Sequence, residues 1–315
     1  MQKDFAGQLL LEQDGAVLLD KGYGDADRAA RRPVTPDTAF DIGSLVKPFT
    51  MMAILKLESD GKLRRADSIA RFLPGVPADK AGITIQQLLT HASGLPDIVD
   101  ASSKPLGYAP DFDYEPVSRD EIVRRALHAK LLYAPGTSSK YSNLGYSLLG
   151  VIIEIASGQP YERFVHDRVF VPAGMTRTGY VIPPWPRNEI AVGYQGKSAW
   201  GTPLDHRWLA DGPSWNFRAN GGMLSNARDL HRWIAALDGG ALLTPAEKQA
   251  FFDLAVHRNK RGARTMGAAG SNDVFDACYL WYPDERRLVI LLTNGDRWRA
   301  EEIVPDLARR MRSIA

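Results

Sequence analysis

A single cysteine, Cys278, stands in a chain of 315 residues, so no internal disulfide can form. It falls in an alternating run and reads as a small core residue. An excess of charge of one sign is missing as well. The 39 basic and 37 acidic side chains leave a formal net charge of +2, which gives no electrostatic footprint for nucleic acid. The one local basic cluster, Arg258-Asn259-Lys260-Arg261-Gly262-Ala263-Arg264, reads as a solvated loop. No stretch approaches the roughly 18 consecutive apolar residues of a transmembrane helix. Nor does Met1-Gln2-Lys3-Asp4-Phe5 open a signal peptide, so the chain reads as cytoplasmic as written, or as exported if a leader was removed. The six histidines are scattered, without H-E-x-x-H or paired spacing, and Gly22-Tyr23-Gly24 lacks the third glycine of a dinucleotide fingerprint. Neither a metal nor another cofactor is expected. Internal repeats and low-complexity tracts are absent too.

What is present is ordinary globular material: 44% hydrophobic and 24% charged residues, in a chain long enough to bury a sizeable core. Gln8–Leu11 and Ala16–Asp20 flank Glu12-Gln13-Asp14-Gly15, the signature of a hairpin with a D-G turn. Val274–Tyr282 and Arg287–Leu292 flank Pro283-Asp284-Glu285-Arg286 and predict a second hairpin, followed by an amphipathic helix over Glu301–Arg312. Strands from both termini with helices between them predict an α+β fold. It has one antiparallel sheet built from the two chain ends and flanked by helices, with a mainly helical middle. The expected division is a sheet domain of residues 1–62 and 182–315 and a mainly helical domain of residues 63–181. Loops rich in proline and glycine, such as Ala101–Pro116, interrupt the middle. Trp200, Trp208, Trp215 and Phe217 form an irregular aromatic stretch that suits either a pocket wall or simple packing.

Ser44-Leu45-Val46-Lys47 carries the chemistry. A serine and a lysine at i and i+3 share one face of a helix. Serine is a poor nucleophile at neutral pH and needs a base within hydrogen-bond reach. A lysine serves when burial depresses its pKa, because desolvation disfavours the charged form. Ahead of Ser44, Thr38–Gly43 reads as a short extended run closing on a glycine; behind it, Phe49–Leu57 is apolar enough to be a buried helix. Ser44 then sits at a helix N-terminus, where unpaired N–H groups favour developing negative charge. An ordinary helix N-cap is the competing reading. A second S-x-x-K, Ser59-Asp60-Gly61-Lys62, contains a helix-ending glycine and reads as the C-terminal turn of the same helix. Tyr141-Ser142-Asn143 follows the turn signal Ala134-Pro135-Gly136-Thr137 and precedes an apolar helix, Leu144–Ile155. It projects a phenol and an amide from a helix entrance; core packing of Tyr141 and capping by Asn143 are the alternatives.

With these two motifs in this order, the sequence resembles the serine β-lactamase and D,D-peptidase superfamily, in its class C β-lactamase-like branch, which includes family VIII esterases. Leu88-Leu89-Thr90-His91-Ala92-Ser93-Gly94-Leu95-Pro96 is similar to the family's L-L-T-H-T-S-G-L signature, and Pro172-Ala173-Gly174-Met175 to its P-L-G-M segment. Asn220-Gly221-Gly222-Met223-Leu224-Ser225 through Leu230 resembles its A-G-G-L-x-S-T-A-x-D-L helix entrance. The resemblance implies Ser44 as the acylated nucleophile, Lys47 as its base and Tyr141 as the proton shuttle. It implies Asn143 as a holder of the lysine and of a substrate oxygen. The backbone N–H of Ser44 would supply one half of an oxyanion hole.

The third family motif, K-T-G or H-x-G, is where this chain departs. Alignment on Asn272-Asp273-Val274-Phe275 places Ala268-Ala269-Gly270-Ser271 there, with Ala268 at the cationic position. The Ser271 main chain retains the second oxyanion donor, because an N–H does not depend on side-chain identity. Lost is a positive charge that would bind a substrate carboxylate, for which Lys260, Arg261 and Arg264 just upstream are the possible substitutes. The strand before the motif is short or absent over Asp253–Thr265. Esters need no carboxylate anchor, so the expected activity is that of a carboxylesterase acting on small esters or amides through an acyl-enzyme on Ser44. The alternatives are a β-lactamase or D-alanyl-D-alanine carboxypeptidase, an acyltransferase, or a catalytically weak homologue that binds a peptidoglycan-like or acyl ligand. The expected partner is a small-molecule substrate, with no nucleic acid and no transmembrane segment. The oligomeric state is not legible.

Overall fold

The structure, a computed structural model, describes residues 5–97, 116–206, 211–239, 242–258, 262–272, 274–295 and 297–312. Its contacts divide the chain into two compact units. One comprises Met1–Val46, Phe170–Asp205 and Gly221–Ala315; the other comprises Lys47–Val169 and His206–Asn220.

The first unit is organised on strands β1 (Gly7–Gln13) and β2 (Ala16–Tyr23) from the N-terminus. They turn on Asp14 and Gly15, both in the left-handed region at φ 55° and 81°, as a two-residue hairpin turn requires. Later in this unit come helix α1 (Ala227–Gly239), β3 (His257–Arg258), β4 (Arg264–Ser271), β5 (Asp276–Tyr282), β6 (Arg287–Thr293) and helix α2 (Ala300–Arg312). The strands form one antiparallel sheet in the order β2-β1-β6-β5-β4-β3, so the two chain ends meet where β1 pairs with β6, Gly7 opposite Thr293. The expected α+β architecture is therefore the one observed. Among the described residues, the segment before β4 adds only the two-residue strand β3 to the sheet.

Alternation along the strands decides what each sheet face covers. Leu9, Cys278, Val289 and Leu291 pack with Ala300, Val304, Ala308 and Met311 of α2. Helix α1 packs on β1 and β6, and its first backbone amide, Ala227 N–H, donates to the buried Gln8 Oε1 at 2.8 Å. Each fully buried Leu, Ile or Val contributes about 1.5–3 kcal/mol relative to exposure, which is why both faces read as near-continuous apolar runs in β6. Arg287 is buried at the start of β6, yet its charge is met. It pairs with Glu285 at 2.5 Å and donates to the Ala308 carbonyl at 2.7 Å, tying α2 to the sheet. The Cys278 thiol is buried and pushed up to about 12 by that burial, so it stays a neutral core group.

The second unit is helical. Its two longer elements are Lys47–Ser59 and Asn143–Ser157, which pack on each other; Ile85–Leu89, Arg119–His128 and Tyr161–Val165 complete it. Helix Lys47–Ser59 buries Lys47, Phe49 to Leu55 and Leu57, close to all-round burial. It ends with Gly61 at φ 69° and Lys62 N–H donating to Leu57 O at 2.9 Å, so the second S-x-x-K is the C-terminal turn of this helix. Among the described residues, no helix is long and apolar enough to cross a membrane.

Candidate functional site

In the first unit the site begins at Phe40–Asp41, a two-residue strand paired with Leu224–Ser225. Gly43 follows at φ 48° and opens the 3-10 turn Gly43–Val46 that carries Ser44. Asp41 fixes this turn from beneath. One carboxylate oxygen accepts from Gly43 N–H at 2.8 Å and the other from Asn272 Nδ2 at 2.9 Å. Burial raises its pKa to about 6, against the pull of those two donors.

The end of β4 lies backbone to backbone against the same turn. A Cβ on Gly270 would stand 2.3 Å from Ile42 O and 2.4 Å from Ser44 N; one on Gly43 would stand 2.7 Å from Ser271 N. Only glycine fits either side of this seam. The Ser271 hydroxyl is engaged with the Asp276 carboxylate. Ala268 lies two residues earlier on β4, opposite Tyr279 and half-buried. Of the three upstream cations, Arg264 is committed to Asp284 at 2.7 Å, while Lys260 and Arg261 lie outside the described residues.

In the second unit Lys47 begins its helix with only 6% of its surface exposed. Its Nζ donates to Asn143 Oδ1 at 2.7 Å and to the Asn220 carbonyl at 2.7 Å. Burial pulls its pKa down to about 7, with the Asp97 charge acting in the opposite direction. Asp97 also orients Asn143: it accepts from the Asn143 backbone N–H at 3.0 Å and from Nδ2 at 3.4 Å. With the amide nitrogen turned to Asp97, the Asn143 oxygen faces the lysine. The Asn220 carbonyl is held by its neighbourhood, since Thr50 Oγ1 donates to Ala219 O at 2.6 Å.

Tyr141 does not pack in the core; its side chain is 45% exposed, and Lys47 Nζ lies 4.8 Å from its ring centre. Asn143 does not cap the helix either. Ser142 is the N-cap, accepting from Gly145 N–H at 3.2 Å, and this leaves the Asn143 amide for the lysine. His91, in the left-handed region at φ 56°, stacks its ring 4.7 Å from that of Tyr141. Its Nδ1 accepts from Ser142 N–H at 3.2 Å, and burial with the nearby Lys47 charge pushes its pKa to about 4. A neutral imidazole accepting from the chain just after Tyr141 helps to position that loop.

Lys47, Tyr141 and Asn143 thus share one cluster, and Ser44, Gly270 and Ser271 share one seam. Sequence reasoning missed Asp97, which directly follows the L-L-T-H-type signature, and the Asn220 carbonyl, which no side-chain identity advertises. Of the aromatic stretch, Trp215 is buried and packs under Arg218, Trp200 sits edge-on to Phe275 at 6.1 Å, and Trp208 lies outside the described residues. No group of metal-ligating side chains occurs among the described residues.

A model of the family described as Beta-lactamase matches residues 6–310. The chain belongs to that family. It is 37% identical over 321 residues to "Penicillin-binding protein 4*" of Bacillus subtilis, covering 93% of this chain and 68% of that protein. It spans about half the length of other curated relatives that it matches. Among solved structures, a penicillin binding protein from Bacillus halodurans superposes with a TM-score of 0.76 at 26% identity, covering 92% of each chain. A D-amino acid amidase from Ochrobactrum anthropi gives a TM-score of 0.73 at 26% identity, covering 92% of this chain and 86% of that one. The fold is that of the serine hydrolases related to β-lactamases, penicillin-binding proteins and esterases.

Proposed function

We propose that this chain is a serine hydrolase that forms an acyl-enzyme on Ser44 and turns over small esters or amides. The observation that carries the reading is the Lys47 amine: buried and held by two oxygens, with burial pulling its pKa down to about 7. A surface lysine is almost wholly protonated at neutral pH and cannot accept a proton. Lys47 follows Ser44 by three residues in one uninterrupted helical run.

In the proposed reaction Ser44 Oγ attacks the acyl carbon while its proton passes to Lys47 Nζ. The oxyanion is held by the N–H groups of Ser44 and Ser271. The tetrahedral intermediate collapses, the bond to the leaving alcohol or amine breaks, and Tyr141 gives its phenol proton to that leaving group while taking back the proton held by Lys47. Water then attacks the Ser44 ester, gives up a proton by the same route, and Ser44 recovers its own. Asn143 keeps the Lys47 amine in place and offers its amide to the substrate.

Esters are favoured because Ala268 supplies no cation for a substrate carboxylate. The 37% identity to a protein named a penicillin-binding protein supports a second reading, acylation by a β-lactam or a D-alanyl peptide. A p-nitrophenyl ester should give a burst of nitrophenol and an acyl mass increase on Ser44, both lost in Ser44→Ala. Labelling by benzylpenicillin that outpaces the ester would favour the second reading. An unmodified Ser44 with every ester, β-lactam and fluorophosphonate tried would overturn both.

A further inference from the structure

Where β1 begins and β6 ends, the first unit forms a half-open cavity of about 340 Å³. It is a place apart from the proposed chemistry: Ser44, Lys47, Tyr141, Gly270 and Ser271 do not line it. Among the described residues, Arg28, Lys197, Arg297 and Asp25 are the charged side chains that line it. Arg28 is fixed in advance. Its guanidinium lies 3.9 Å from the Tyr194 ring centre and donates to Gly196 O at 2.7 Å, while its backbone N–H donates to the Tyr194 hydroxyl at 2.7 Å. Among the described residues, neither Arg28 nor Lys197 has a carboxylate within ion-pair distance.

Two aromatic rings, Phe5 and Trp298, join the lining beside Ala6, Asn294 and main chain at Gly24, Gly196 and Gly295. Phe5 and Trp298 meet edge to face at 6.0 Å. The indole N–H of Trp298 is buried and finds no acceptor among the described residues. Arg28 and Lys197, the first held by its ring stack and hydrogen bond, beside the edge-to-face pair of Phe5 and Trp298, describe a site for an anionic head on an aromatic body. Its volume suits a ligand of small-molecule size.

We infer that this cavity binds a small aromatic acid, a carboxylate or a phosphate on an aryl body, independently of Ser44. Isothermal titration of the full chain with phenylacetate and with phenyl phosphate tests it, with benzyl alcohol as the uncharged control. Saturable one-to-one binding of at least one acid is expected, and the tighter of the two identifies the head group. Lys197→Glu, at an exposed side chain with no fold-holding contact, should weaken it by about tenfold or more, as should Arg28→Gln. Ser44→Ala should leave it unchanged. Absence of saturable binding by either acid, equal binding of benzyl alcohol, indifference to Lys197→Glu, or loss on Ser44→Ala would each overturn the inference.

Discussion

Lys47 Nζ donates to Asn143 Oδ1 across 2.7 Å, and the same asparagine is turned by Asp97 so that only its oxygen faces the amine. An amide oxygen stabilises a nearby ammonium less than a carboxylate does. The pair therefore leaves burial to dominate the lysine's protonation.

The pH dependence follows. In the proposed mechanism the active form has Lys47 neutral, so kcat/KM for p-nitrophenyl acetate should rise through a limb near pH 7, not near 10. Asp97 raises the lysine's pKa, so Asp97→Asn, which keeps an acceptor for the Asn143 N–H, should move that limb to lower pH. A limb that stays put in Asp97→Asn, or lies above pH 9 in the parent, would count against Lys47 as the base.

Stability should carry the mirror image of this effect. The folded pKa of Lys47 is about 7 and its ordinary value 10.5, so between these pH values the unfolded chain holds the extra proton. Lys47 thus makes folding more favourable as pH rises across that window, by up to about 1.4 kcal/mol for each unit of separation. Lys47→Met removes the dependence. Denaturant melts at pH 6.5 and pH 10 should show its advantage over the parent shrinking as the pH increases.

Gly270→Ala tests the seam beside Ser44. A methyl group 2.4 Å from Ser44 N must push strand and turn apart and spoil the proposed oxyanion donors. Loss of one such donor costs about 10²–10³-fold in kcat. Stopped-flow acylation rates should fall by that order while far-UV circular dichroism keeps the parent spectrum.

Ala268→Lys should restore an anchor for substrate carboxylates. Benzylpenicillin acylation of Ser44, followed by intact mass, should speed up by about tenfold, the value of one partly exposed charge-assisted hydrogen bond. Turnover of an uncharged acetate ester should change by no more than about twofold. Equal gains on both substrates would show that the substitution acts through something other than charge.

Much of the frame was legible in the chain because its signals are local. Asp14-Gly15 sets the first hairpin through the backbone conformation it allows, and Gly61 ends the helix that Ser44 precedes. The surroundings of the amine were not legible for the opposite reason. Asp97 lies 46 residues before Asn143, and the Asn220 carbonyl is 173 residues from Lys47; neither contact has a sequence period. His91 shows a third limit: a left-handed conformation at a non-glycine residue is imposed by its neighbours, here the Lys140 N–H and Tyr133 hydroxyl that its carbonyl receives. The apolar continuity of the Lys47 helix did indicate burial, and burial is what sets the amine apart from other lysines.

The absence of side chains at Gly43 and Gly270 has a practical side for protein engineering. Two strands of main chain pressed together leave nothing there to mutate without prying them open, so variation in substrate range has to be sought upstream, around Ala268 and Ala269, where β4 still offers side chains to exchange. Libraries that spare the glycines and randomise those alanines would keep the pressed main chain intact while resculpting what lies beside it.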